Sequence, residues 1–84
     1  MLLPAYPNPF NSGAVIPFEL LNPAQVSLRI YDAEGRVVFN LANRIFPAGY
    51  HSVSFNGSGL PGGAYVYSLE AGKEVGSGRL ILVK

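Results

Sequence analysis

The chain has 84 residues, 49% of them hydrophobic and 13% charged, with a net charge of +1 and no cysteine. That length makes one domain at most, with about 60–65% of the unfolded surface hidden, and the composition is too apolar for intrinsic disorder. The missing cysteines exclude a disulfide framework and a thiolate metal site. The balanced charge offers no field for nucleic acid, and no apolar run approaches the ~18 residues of a membrane span. Neither nucleic-acid binding nor direct membrane insertion is expected.

In chain order, the opening carries Tyr6-Pro7-Asn8-Pro9-Phe10-Asn11. Two prolines in six residues predict an extended, semi-rigid entry over residues 1–13, and Leu2–Phe10 can add a short seventh strand. Period two then sets in. Ile16, Phe18 and Leu20 place a strand at 14–20, and Pro17, which cannot donate to a ladder, marks it as an edge. After the Asn22-Pro23 turn, Val26, Leu28 and Ile30 place the next at 25–31. Asp32-Ala33-Glu34-Gly35 suits a tight hairpin, with Gly35 free to take positive φ, and leads to a strand at 36–41.

Segment 42–49 reads as a crossover loop carrying Ile45 and Phe46 into the core. Val53 and Phe55 define 50–55, and Asn56-Gly57 after it has the chemistry of a hairpin. Leu60-Pro61-Gly62-Gly63-Ala64-Tyr65 is similar to a tyrosine corner, in which the hydroxyl bonds back to the backbone. Tyr65, Tyr67 and Leu69 define 64–71, Gly72 ends it, and 78–83 closes the chain. No capped ten-residue stretch has helical spacing. The fold class predicted is all-β: an immunoglobulin-like antiparallel β-sandwich of six to seven short strands, forming a single domain over residues 1–84.

The inventory for chemistry is thin. Glu19 and Glu70 fall out of phase with the apolar sets of their strands, while Asp32, Glu34 and Glu74 lie in turns, so no carboxylate pair converges as acid and base must. His51 is the only histidine and shares a face with Val53 and Phe55; a ring satisfied by backbone is its expected state, since a metal needs three or four ligands. No serine has a base beyond His51. Gly57-Ser58-Gly59-Leu60-Pro61-Gly62 formally matches G-x-G-x-x-G, but Pro61 and the strand that follows make it a turn, because the dinucleotide fingerprint needs a helix there. Asn56-Gly57-Ser58 fits the glycosylation sequon and is better explained by turn chemistry. No catalytic residue, cofactor or metal site is assigned, and no enzyme activity is expected.

Tyr6-Pro7-Asn8-Pro9-Phe10-Asn11 resembles the start of the type A C-terminal sorting domains of the type IX secretion system, found in the Bacteroidetes and neighbouring bacterial groups. The resemblance runs on in order. It continues through Ile16, Phe18 and Leu20, then Val26, Leu28, Ile30, Tyr31 and Asp32. Gly35, Arg36, Val38 and Leu41 follow, then Gly49 and His51. A Leu-Pro-x-Gly-x-Tyr turn stands at Leu60, Pro61, Gly63 and Tyr65, and a basic-aliphatic strand runs from Arg79 to Lys84. Two places depart from the family: Phe55-Asn56-Gly57 stands where Trp-Asp-Gly is common, and Ser12-Gly13 where Pro-x-Thr is common. Both keep turn or core character. The immunoglobulin-like domain of flagellar hook-capping proteins is similar in pattern, but the opening motif and the closing strand favour the sorting domain.

The resemblance implies the C-terminal address of a larger cargo protein, carried by the translocon through the outer membrane to the surface or medium and commonly removed there by a sortase. It implies an excised piece with an N-terminally attached cargo and no signal peptide of its own. The candidate recognition residues are Tyr6, Pro7, Asn8, Pro9, Phe10 and Asn11, with Arg79, Leu80, Ile81, Leu82, Val83 and Lys84. Gly35, Leu60, Pro61, Gly63 and Tyr65 are assigned to structural turns. The closing strand is expected to present an unpaired edge for strand addition, with weak self-association through it. The alternative function is a structural or adhesive immunoglobulin-like module of a secreted or hook-capping-like protein.

Overall fold

The computed structural model describes residues 1–84. It contains six strands and no helix: β1 (Gly13–Leu20), β2 (Ala24–Tyr31), β3 (Val37–Phe46), β4 (Gly49–Asn56), β5 (Gly63–Ala71) and β6 (Glu74–Leu82). All pairings are antiparallel, in a two-stranded sheet β1-β4 and a four-stranded sheet β3-β2-β5-β6. This is the immunoglobulin-like β-sandwich that the alternation predicts. Alternate residues of each sheet face inward. Ile16 and Phe18 from one sheet meet Val26, Leu28, Ile30, Leu69 and Leu80 from the other, all of them almost fully buried. Apart from its tyrosines, no residue with a polar side chain is buried, so the core rests chiefly on apolar burial.

Two connections are hairpins and three cross between the sheets. Between β2 and β3, the Gly35 amide donates to the Asp32 carbonyl at 3.0 Å, and Gly35 takes φ of 85°, as its place in the turn requires. The Asp32 carboxylate accepts from the Glu34 and Arg36 amides and from Arg36 Nε, each at 3.0 Å. These bonds, the Arg36 amide foremost, hold its carboxyl below the ordinary aspartate range, against a smaller opposing effect of burial. Between β5 and β6 the loop is Gly72-Lys73, with Gly72 at φ 61° in the first central position, the place a II′ hairpin reserves for glycine.

The structure corrects four expectations about the course of the chain. Segment 42–49 is not a crossover loop: β3 continues to Phe46, and only Pro47-Ala48 separates it from β4. Phe46 enters the core, whereas Ile45 is 70% exposed. β6 starts at Glu74, four residues before the expected boundary. Asn56-Gly57 closes no hairpin, because β4 and β5 belong to different sheets; instead Asn56 Oδ1 accepts from the Ser58 amide at 3.0 Å and starts the crossing.

The fourth correction concerns the entry, which is neither extended throughout nor a seventh strand. It touches the sheets by three isolated bridges, Leu2↔Phe18 and Tyr6↔Val15 antiparallel and Phe10↔Leu82 parallel. Residues 7–9 bend between the last two, with the Tyr6-Pro7 and Asn8-Pro9 peptide bonds cis. A straight segment cannot do this, since Tyr6 pairs with β1 in one sheet and Phe10 with β6 in the other. Pro17 has the edge role its missing N–H suggests: its carbonyl accepts from Leu3 at 3.0 Å on the side away from β4.

Candidate functional site

The two segments singled out by sequence, Tyr6–Asn11 and Arg79–Lys84, lie against each other. β6 pairs with β5 through its even-numbered residues, so the backbone groups of its odd-numbered residues point outward. From Arg79 onward the entry segment occupies that outer edge. Asn8 Nδ2 donates to the Arg79 carbonyl at 2.8 Å, and Asn8 Oδ1 accepts from the Ile81 amide at 3.1 Å. The Phe10 amide donates to the Ile81 carbonyl, and the Val83 amide donates to the Phe10 carbonyl, both at 2.8 Å. One side-chain carboxamide followed by the backbone N–H and C=O of one residue thus imitates a neighbouring strand. The unpaired edge expected at the end of the chain is occupied over Arg79–Val83, because the opening motif supplies its partner.

Phe10 anchors this arrangement. Its ring is 2% exposed and packs on Phe55 at 5.7 Å between centroids, tilted by 55°. Gly57 forms part of its seat: a Cβ there would lie 3.1 Å from Phe10 Cε2. Tyr6, Pro7, Asn8, Pro9 and Asn11 are exposed, so the motif presents one buried aromatic among solvent-facing residues. In β6, Leu80 and Leu82 face the core while Arg79 and Ile81 face out, with Val83 and Lys84 exposed beyond. Lys84 Nζ donates to the Ser58 carbonyl at 2.6 Å and ties the last residue to the β4–β5 crossing.

The turn residues hold the neighbouring corner. Tyr65 Oη donates to the Pro61 carbonyl at 2.6 Å, four residues back, the bond that defines a tyrosine corner. Gly63, at φ 148°, opens β5, and Leu60 packs against the core. Gly35 lies on the β2–β3 hairpin, outside both candidate segments.

Sequence reasoning missed Tyr67 and Gly78. They are directly opposite across β5 and β6, and a Cβ at Gly78 would come within 2.3 Å of the Tyr67 ring tip. The glycine makes room for the ring, and the hydroxyl then accepts from the Ala5 amide at 3.2 Å in a buried position. The only signal for this pair is a glycine opposite a tyrosine, visible once the register is known. His51 donates from Nε2 to the Pro47 carbonyl at 2.7 Å, and its ring packs on Phe18 and Phe46. No group of three or more His, Cys, Asp or Glu side chains gathers anywhere in the chain.

The arrangement offers a contiguous surface of prolines and outward side chains from both candidate segments. A family model described as the secretion system C-terminal sorting domain matches residues 4–84. No curated protein matches the chain.

Proposed function

The chain belongs to the family of secretion system C-terminal sorting domains, and from that premise we propose that it directs an N-terminally attached cargo through the outer membrane, with recognition at the surface built by Tyr6–Asn11 and Arg79–Lys84. Sorting domains are addresses rather than catalysts, and their role implies a cargo and a secretion machinery. The observation that supports this siting is the joining of the two segments by four hydrogen bonds. An address must be legible on a folded surface, and here the two ends of the domain form one feature.

Within that feature the outward face of the closing strand, Arg79, Ile81 and Val83, is the part the translocon reads, and Tyr6, Pro7 and Pro9 form its border. Leu80 and Leu82 serve packing. A surface sortase then acts on the delivered protein. The type IX route, with its periplasmic stage, fits the opening motif.

The test is a fusion of residues 1–84 to the C-terminus of a periplasm-targeted reporter in a type IX-competent bacterium, with a translocon-deficient strain as control. The measured quantity is the fraction of reporter outside the outer membrane. Translocon-dependent export is the expected result. A folded fusion held in the periplasm of the competent strain would overturn the reading. A bulky tag placed after Lys84 should depress export, whereas a structural spacer module would be indifferent to it.

A further inference from the structure

The outer edge of β6 is covered in two physically different ways. Phe10 is a buried anchor: its ring is 2% exposed, and its backbone holds the Ile81 carbonyl and the Val83 amide. Asn8 is an exposed hook between two exposed prolines, and its carboxamide alone holds the Arg79 carbonyl and the Ile81 amide. Upstream of Arg79 the cover stops. The backbone groups of Val75 and Ser77 point outward by the register of β6, beside an apolar cleft of about 580 Å³ lined by Leu2, Leu3, Pro4, Tyr67, Leu69 and Val75, among others.

Hook and anchor therefore have different costs of release. Withdrawing Phe10 exposes an aromatic ring and leaves a cavity beside Phe55. Swinging Asn8 out exchanges two side-chain hydrogen bonds for bonds to water, a net change of the size that local opening commonly supplies. With the hook out and the anchor in, the Arg79 carbonyl and the Ile81 amide join the free groups of Val75 and Ser77 in one uninterrupted edge. An extended polypeptide segment is the chemistry that such a row of alternating backbone groups accepts.

We propose that Asn8 is a gate on the edge of the closing strand, opening independently of the Phe10 anchor to lengthen the free edge from Val75 to Ile81. It goes beyond the sorting role and does not depend on it, since the gate belongs to the isolated domain. Sequence alone does not reveal it, because the asparagine becomes a strand surrogate only when the entry segment crosses from one sheet to the other.

Amide hydrogen exchange resolved by residue, on the whole 84-residue chain and on its Asn8→Ala variant, tests the gate. The Ile81 amide should exchange roughly tenfold faster in the variant, the loss expected for one net hydrogen bond. The Val83 amide, held by the Phe10 carbonyl, should change less than about twofold on the same scale. In Asn8→Asp, which keeps the acceptor for Ile81 but loses the donor to Arg79, Ile81 should be intermediate. In the unaltered chain, exchange in low urea should show Ile81 opening below the free energy that governs Val26–Ile30. Acceleration of Ile81 and Val83 together would overturn the independence of the hook. An unchanged Ile81 in the variant, or one that opens only with the core, would overturn the gate altogether.

Discussion

Gly78 is the position where two simple effects oppose each other and the structure decides between them. Glycine within a strand normally weakens it, and its replacement by alanine at a compatible φ stabilises by about 0.4–1 kcal/mol through the unfolded chain. Here the new Cβ would lie 2.3 Å from both Cζ and Oη of Tyr67 and 2.8 Å from Cε1. Carbon atoms settle at about 3.5–4.0 Å, so the ring tip must retreat by more than about 1 Å. That retreat is costly: Tyr67 is 4% exposed, its hydroxyl holds the Ala5 amide, and a shift toward the neighbouring cleft breaks that bond.

Overpacking of this kind costs about 1–3 kcal/mol, and the lost hydrogen bond adds about 0.5–1.5. Gly78→Ala should therefore destabilise by about 2–3 kcal/mol net, against a total of about 4–13 for a chain of this size. At about 4–8 °C per kcal/mol, Tm falls by roughly 10–20 °C. Calorimetry and urea unfolding measure both quantities. The decisive comparison repeats the substitution in the Tyr67→Leu background, where the ring tip is gone and the added methyl should be neutral or mildly stabilising. A neutral Gly78→Ala in the parent chain, or an equal cost in the two backgrounds, would refute the steric argument.

Three further outcomes are expected. Tyr65→Phe removes the bond to Pro61 and should cost about 1–2 kcal/mol in urea unfolding without changing strand content by circular dichroism. For Asp32, whose folded pKa is depressed, the stabilisation is fully present above the unfolded aspartate value of about 3.9. It is lost as pH falls through the lower folded value. The stability gap between the parent chain and Asp32→Ala should accordingly be constant from neutral pH down to about 5 and close as acid is added, which paired unfolding curves at each pH would show. Arg79→Ala should leave stability within about 0.5 kcal/mol, as exposed substitutions do, yet lower the exported fraction of a fused reporter; full export of the folded variant would remove Arg79 from the recognition surface.

What was legible in the sequence was what short-range pattern encodes. Strict alternation in Ile16-Pro17-Phe18-Glu19-Leu20 and in Tyr65-Val66-Tyr67-Ser68-Leu69 reports one buried face, and those strands fall within a residue or two of the expected bounds. β3 lost its second half because its alternation is broken. It is an edge strand whose pairing with β2 shifts register between Leu28 and Arg29 and again between Ile30 and Tyr31. Its second half, Ala42-Asn43-Arg44-Ile45-Phe46, consequently looks like a loop. The start of β6 was hidden by Gly76 and Gly78. The reasons for those glycines lie far off in sequence: Leu2 packs over Gly76 and Tyr67 over Gly78. Asn56-Gly57 has turn chemistry whether the next strand returns to the same sheet or enters the other, so the dipeptide cannot separate a hairpin from a crossing. Both candidate segments were legible as unusual stretches, but their union was not, because nothing local to Asn8 encodes a partner 71 residues away.

That union changes what loss of export can mean. Removing the closing strand deletes Leu80 and Leu82, whose side chains are in the core, together with Arg79, Ile81 and Val83, which face solvent or the entry segment. Truncation therefore unfolds and unmarks the domain at once. Parity along the strand separates the two roles. Substituting Leu80 or Leu82 by alanine should cost about 2–5 kcal/mol, and export should then track stability. Substituting outward odd-numbered residues should spare stability, so any export defect there reports on recognition. The entry segment divides the same way: Phe10 belongs with the packing set, whereas Tyr6, Pro7 and Pro9 belong with the exposed set. If export follows stability alone across both sets, the folded domain is needed only as a scaffold. If the exposed set departs from that line while the buried set obeys it, the address is the surface formed where the two ends of the chain meet.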